Sequence, residues 1–348
     1  MPIREKPRTL LTTGFELVEP AELIEEEDLP DYNLNDFYPV VLGEVIQDRY
    51  QTISANPTLA LRELPFYQHI QPLLKKIPNK KRISDIRRLL DSFQITGPHG
   101  THLALDLVRN VIIEVLEILD SRHTKGDVVH TDVHTGNFLL GTFDNSMFEK
   151  LAELELESPV DRKQDSSGRT IYFSRVLRPR EGPMLLSDFG EARIGAGPHA
   201  GDIMPLGYRA PEVLLCVGWS FPVDTWSVSL TAWDLLGPKR LFTARNDDDD
   251  LSDAVHLAQL IAALGPLPPE FLARNPERRA LFWKENGEWL GRAPIPWTRT
   301  LKSFENQLEG NSKSRFLAFL RRTLAWLPED RPTAAELLKD PWLTKKDA

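Results

Sequence analysis

Residues 130–137 read HTDVHTGN, an H-x-D-x-x-x-x-N spacing, and residues 188–190 read DFG. A carboxylate, a nearby amide and a second carboxylate far downstream suit phosphoryl transfer from a nucleotide. That chemistry asks for few protein groups. A carboxylate must meet the acceptor hydroxyl, and hard oxygen ligands must hold magnesium on the phosphates. Asp132 has the chemistry for the first task, and Asn137 and Asp188 for the second. Residues 208–212, YRAPE, add an A-P-E element in the matching order.

Elements must hold these groups in place. Val108, Val111, Ile112, Val115, Leu116 and Leu119 lie at helical spacing, which predicts an amphipathic helix over 106–122 leading into the 130–137 loop. Residues 89–105 read as a hairpin around the Gly-Pro-His-Gly turn at 97–100. A helix is expected from Leu64, bent or stopped near Pro72, because proline breaks a helix interior. Between the two motifs, residues 142–183 form an insert. It carries an acidic helical piece at 149–157, a loop at 161–168 and a strand at 170–175. Beyond Asp224 the pattern is mostly helical.

Together these motifs resemble the eukaryotic-type protein kinases, and more narrowly the SR-protein kinase-like group common in fungi. Residues 42–53 (LGEVIQDRYQTI) are similar to the group's lead-in strand and 129–141 (VHTDVHTGNFLLG) to its catalytic loop. The long insert, residues 202–215 (DIMPLGYRAPEVLL) and residues 325–343 (AWLPEDRPTAAELLKDPWL) complete the likeness. It covers most of 13–343, strongly in the C-terminal part and poorly over 54–106. The resemblance implies an α+β, two-lobed kinase-like fold. A 1–36 extension would precede a reduced β-containing small lobe at 37–105. A mainly helical large lobe would fill 106–345 and carry the insert at 142–183. It further implies ATP and magnesium as cofactors, held through Asn137 and Asp188, and serine in Arg/Ser-rich proteins as the acceptor.

Other positions take their meaning from the same resemblance. The family usually has lysine where this chain has His134. Imidazole titrates near neutrality, so His134 is read either as a partly charged aid to the transferring phosphate or as a loop histidine without a role. His130 is read as a packed structural ring. Thr131 replaces the arginine that clamps an activation-loop phosphate, and residues 189–211 contain no serine or threonine. Only Tyr208 could accept phosphate there, which argues against an activation-loop switch. Glu212 and Arg331 are expected to form a buried bracing pair. Asp224 is expected to cap the central helix and hold the catalytic-loop backbone. Ser229 stands where glycine is common.

The nucleotide side is incomplete. Residues 50–62 contain neither the glycines of a phosphate-covering loop nor a lysine for two phosphates. Residues resembling a hinge and linker helix are missing after Leu105. Glu63 has no such lysine to pair with and is followed by Pro65. Lys75, Lys76, Lys80 and Lys81 read as solvated charges. Gly195, Gly197 and Gly201 follow DFG and belong to the activation segment. Weak ATP binding is the expectation. Two alternatives to an active kinase stand beside it. One is an inactive kinase-like module that docks basic proteins, the other a chain that has lost segments of an active kinase.

Composition narrows the partners. The 348 residues are 41% hydrophobic and 27% charged, with net charge −9. That profile fits a globular chain, repels nucleic acid and favours basic partners. Residues 247–250 are four consecutive aspartates, read either as a docking feature for arginine-rich substrates or as a solvated loop. No run is long and apolar enough to span a membrane. Cys216 is the sole cysteine, so a reducing compartment, cytoplasm or nucleus, is expected.

Overall fold

The computed structural model describes residues 9–11, 13–19, 22, 24, 41–42, 45–46, 50–51, 101–141, 146–164, 168, 170–173, 175, 184–237 and 239–344. The helix expected from Leu64 and the turn at 97–100 lie outside them.

In chain order the strands are β1 (Leu17–Val18), β2 (Val45–Ile46), β3 (Tyr50–Gln51), β4 (Val128–Val129), β5 (Phe138–Leu140), β6 (Arg162–Gln164), β7 (Thr170–Tyr172), β8 (Met184–Leu186) and β9 (Arg193–Ile194). The longer helices are α1 (Thr101–Ser121), α2 (Ser146–Glu157), α3 (Pro222–Leu236), α4 (Asp253–Leu264) and α5 (Gly310–Thr323). They fall into two compact units.

One unit joins the N-terminal residues to the insert. β1 runs parallel to β6 with Leu17 opposite Arg162, and β7 closes the three-stranded sheet antiparallel. Arg162 holds this sheet together. Its guanidinium lies 3.5 Å from the Phe15 ring centroid and 4.9 Å from that of Tyr172. Glu155, buried at the end of α2, faces Arg162 at 3.7 Å and Arg175 at 3.4 Å. Cation and carboxylate are thus buried together, as burial of charge requires. β2 and β3 form a separate antiparallel pair. The acidic helix of the insert and the start of its strand match the sequence pattern.

The other unit is mainly helical. α1 starts at Thr101, so residues 101–105 are helix and not the second half of a hairpin. Leu105 is 2% exposed and continues the stripe of Val108, Ile112, Val115, Leu116 and Leu119 back by one turn. α1 packs on α3. α3 is buried on every side from Val223 to Trp233, as befits a helix at the centre of a core. Pro222 occupies its first turn, where its missing N–H leaves no bond unmade. Phe316 and Phe319 of α5 close around Trp342 at 4.9 and 4.6 Å between ring centroids.

Candidate active site

β4 is buried and pairs with β9, Val128 opposite Ile194 and Val129 opposite Arg193. It delivers the chain to His130 in the core. The His130 Nδ1 accepts from the Asp132 backbone N–H at 3.2 Å, and its Nε2 faces the Ser187 carbonyl at 3.0 Å. The backbone donor leaves Nδ1 as acceptor, so Nε2 carries the hydrogen. Burial holds the ring's pKa below its usual value and keeps it neutral. His130 is therefore a structural ring, and it packs on Phe189 at 4.5 Å.

Thr131 adopts φ 75°, a strained value for a β-branched residue. Two bonds offset the strain. Its N–H donates to Asp224 Oδ1 at 2.8 Å, and its hydroxyl donates to the Glu191 carbonyl at 3.0 Å. So a neutral hydroxyl ties the loop to the segment that follows Asp188-Phe189-Gly190. Asp224 Oδ2 accepts the His130 N–H at 2.8 Å and meets His123 Nε2 at 2.9 Å. Both oxygens of Asp224 thus serve the loop and His123. The side chain does not cap its own helix, which corrects half of the expected role.

Asp132 holds the acceptor position. Its Oδ2 takes the Asn137 amide at 3.0 Å and lies 3.4 Å from His134 Nε2. Its Oδ1 is buried and has no hydrogen-bond partner among the described residues. Burial alone would raise the carboxyl's pKa, but His134 and Asn137 outweigh it and hold the group below the ordinary carboxylate range. Such a carboxylate is a weak base. It suits orienting a hydroxyl and accepting its proton late.

Asn137 spends its amide nitrogen on Asp132, on the carbonyl at 2.9 Å and on the carboxylate. The amide oxygen is left for a cation. Asp188 is fastened beside it through its neighbours. Ser187 donates to the Asn137 carbonyl through N–H at 2.9 Å and through Oγ at 3.0 Å, and Phe189 packs on His130. Asp188 itself is exposed and in the left-handed region at φ 61°, with Oδ1 accepting the Gly190 N–H at 3.2 Å. One neutral and one anionic oxygen fit magnesium, which takes one or two protein ligands and completes its shell with water and phosphate.

The activation segment is braced from several sides. Glu212 and Arg331 are fully buried and joined by two bonds of 2.6 and 2.7 Å, as expected. Arg331 also donates to the Ala325 carbonyl at 2.8 Å and lies over the Trp226 ring. His199 and Trp219 exchange backbone hydrogen bonds at 2.8 and 3.0 Å. Gly197 sits in that pairing; a Cβ there would lie 2.8 Å from both His199 N and Trp219 O.

Three contributions escaped the sequence reading. Arg209 donates to the Ile203 and Met204 carbonyls and pairs with Asp202 at 3.0 Å. His256 of α4, wholly buried, binds the Arg209 carbonyl at 2.9 Å through Nε2. Tyr208 donates to Asp234 at 2.6 Å, and burial and that carboxylate push its phenol pKa up. The YRAPE string contains Tyr208 and Arg209, but Asp234 and His256 lie 26 and 47 residues away from them along the chain. The acidic run forms an exposed turn, with Asn246 Oδ1 accepting the Asp248 and Asp250 N–H groups. Asp253, next in line, is paired with Arg278 at 2.5 Å.

Known proteins place this geometry. The family model described as protein kinase domain matches residues 82–343. A serine/threonine protein kinase of Aspergillus fumigatus is 36% identical over 392 aligned positions, spanning 97% of this chain and 95% of the relative. The serine/threonine-protein kinase SRPK of Physarum polycephalum is 24% identical, spanning 92% and 91%. A crystal structure of a kinase domain shares the fold, with TM-score 0.53 at 22% identity over 81% of this chain and 84% of that one. With a catalytic loop, a DFG segment and a braced A-P-E element in one unit, the chain belongs to the serine/threonine protein kinase family.

Proposed function

We propose that this chain acts on serine in basic, Arg/Ser-rich proteins, in the manner of SR-protein kinases, and binds nucleotide weakly. The observation that supports the reading is the polar set of the catalytic loop, where the Asn137 amide nitrogen is spent on Asp132, leaving its amide oxygen for a metal, and Asp188 is exposed. ATP supplies the γ-phosphoryl group and magnesium offsets its charge. Asp132 orients the acceptor hydroxyl and takes its proton. Asn137 and Asp188 would hold the metal. Exposed acid at residues 247–250, with net charge −9, favours arginine-rich partners and their rapid encounter. Cytoplasm or nucleus is the proposed location.

A second reading is a docking module without turnover. Residues 50–62 have no glycine and no lysine. The alignment to the Aspergillus kinase has 392 positions, more than the 348 residues of this chain, so the relative carries segments missing here. Intact Asp132, Asn137 and Asp188 favour recent loss of segments over long drift after inactivation.

Calorimetric titration with magnesium–ATP, alongside phosphate incorporation into an arginine/serine peptide, separates the readings. Weak nucleotide binding with measurable incorporation supports the first. Peptide binding without incorporation supports the second. A micromolar or tighter nucleotide dissociation constant contradicts the weak-binding claim.

A further inference from the structure

His134 is where this catalytic loop departs most from its family's pattern, and its surroundings are specific. Nδ1 accepts the Gly136 N–H at 3.1 Å and so caps the single 3₁₀ turn Thr135–Asn137. A backbone N–H can only donate, so Nδ1 carries a lone pair and the neutral ring bears its hydrogen on Nε2. Nε2 lies 3.4 Å from Asp132 Oδ2 and 3.3 Å from the Asn137 amide nitrogen. Two donors cannot bond each other, so the ring hydrogen faces Asp132 while the amide hydrogens go to the Asp132 oxygens.

The glycine two residues on is explained by the same ring. Gly136 is not among the residues with positive φ, so its backbone admits a side chain. Its space does not. A Cβ there would lie 2.9 Å from His134 Cε1 and 3.0 Å from Nδ1. The imidazole thus forms a wedge over residue 136 that a side chain there would have to push aside.

We propose that His134 is a positioning residue, a cap that sets the Thr135–Asn137 turn and orients Asp132 and Asn137, and not a group that contacts the transferring phosphate. The inference rests on the kinase reading for the roles of Asp132 and Asn137. It does not need turnover to be tested. A lysine here would supply charge but no acceptor. Asparagine would supply an acceptor without charge and caps helical turns well.

Hydrogen exchange of the Gly136 amide in the full chain without nucleotide is the first measurement. Exchange should rise on the order of tenfold in His134→Lys and stay near the parent rate in His134→Asn. Lysine protecting the amide as well as histidine, or asparagine exposing it, would overturn the cap. The second measurement is a urea-unfolding cycle. Gly136→Ala should lower the midpoint in the parent and leave it nearly unchanged in the His134→Asn background, because the colliding ring is gone. Equal losses in both backgrounds would break the proposed wedge. Where the parent transfers phosphate, His134→Asn should keep more of kcat than His134→Lys, with peptide KM unchanged; a faster lysine variant would restore the cation role. A parent without turnover counts against the kinase reading alone, since exchange and unfolding still decide the cap.

Discussion

Residues 128–140 and residues 50–62 bear on opposite ends of one reaction. In the first stretch nearly every polar group is committed. Asp224 holds two backbone N–H groups, His130 holds Ser187, and Asn137 holds Asp132. In the second stretch the groups that would grip phosphates are missing from the sequence itself. The acceptor side takes its order from α3, the A-P-E element and Arg331, all within the helical unit. None of those braces depends on a glycine-rich loop or a strand lysine. The acceptor geometry can therefore persist in a chain that handles nucleotide poorly.

The sharpest way to break that comparison is to remove its brace. Arg331→Met leaves Glu212 buried and unpaired, which should cost about 3–5 kcal/mol in urea unfolding. A loss under about 1 kcal/mol, the range of exposed pairs, would mean the pair does not carry the helical unit.

His256 tests the same brace through pH. Burial lowers its pKa from 6.5 to about 4. The unfolded chain then takes up a proton near pH 6.5 that the folded chain refuses until about pH 4. Stability falls through that window as pH drops, by roughly 3 kcal/mol for this group, and no further below it. His256→Gln should flatten the difference between pH 7 and pH 4. Identical pH profiles for parent and variant would remove His256 from the brace.

Asp132→Ala and Asp188→Ala address the chemistry. Each should lower any phosphotransfer by at least ~10²-fold with little change in unfolding midpoint. Activity that survives both changes belongs to a contaminating kinase. The smallest effect is expected from the acidic turn. Changing Asp247, Asp248, Asp249 and Asp250 to asparagine should weaken arginine/serine peptide binding a few-fold at low salt, and salt alone should do the same as the Debye length shrinks to ~10 Å at 0.1 M. Equal binding by the variant and the parent would leave the run as a solvated loop.

Much of the helical unit was legible because its signals are local. The stripe through Val108 and Leu119 repeats at helical spacing, and the acidic helix of the insert does likewise. The stripe's first member, Leu105, was read into a hairpin because the Gly-Pro-His-Gly turn dominates the pattern around it. The parallel pairing of Leu17 with Arg162 was not legible at all. Two-residue strands carry no periodicity, and their partner lies far away in the chain.

The order and chemistry of Asp132, Asn137, Asp188 and YRAPE are properties of the sequence, and they were sufficient to identify the family's machinery. Which atom of each group is engaged was decided only by tertiary structure. Asn137 and His134 both turn to Asp132 Oδ2 while Oδ1 is buried without a partner among the described residues, and His134 Nδ1 accepts the Gly136 N–H. Such choices depend on distances between side chains brought together by the chain's path, as with His256 and the Arg209 carbonyl, and a string of residue types carries no record of that path.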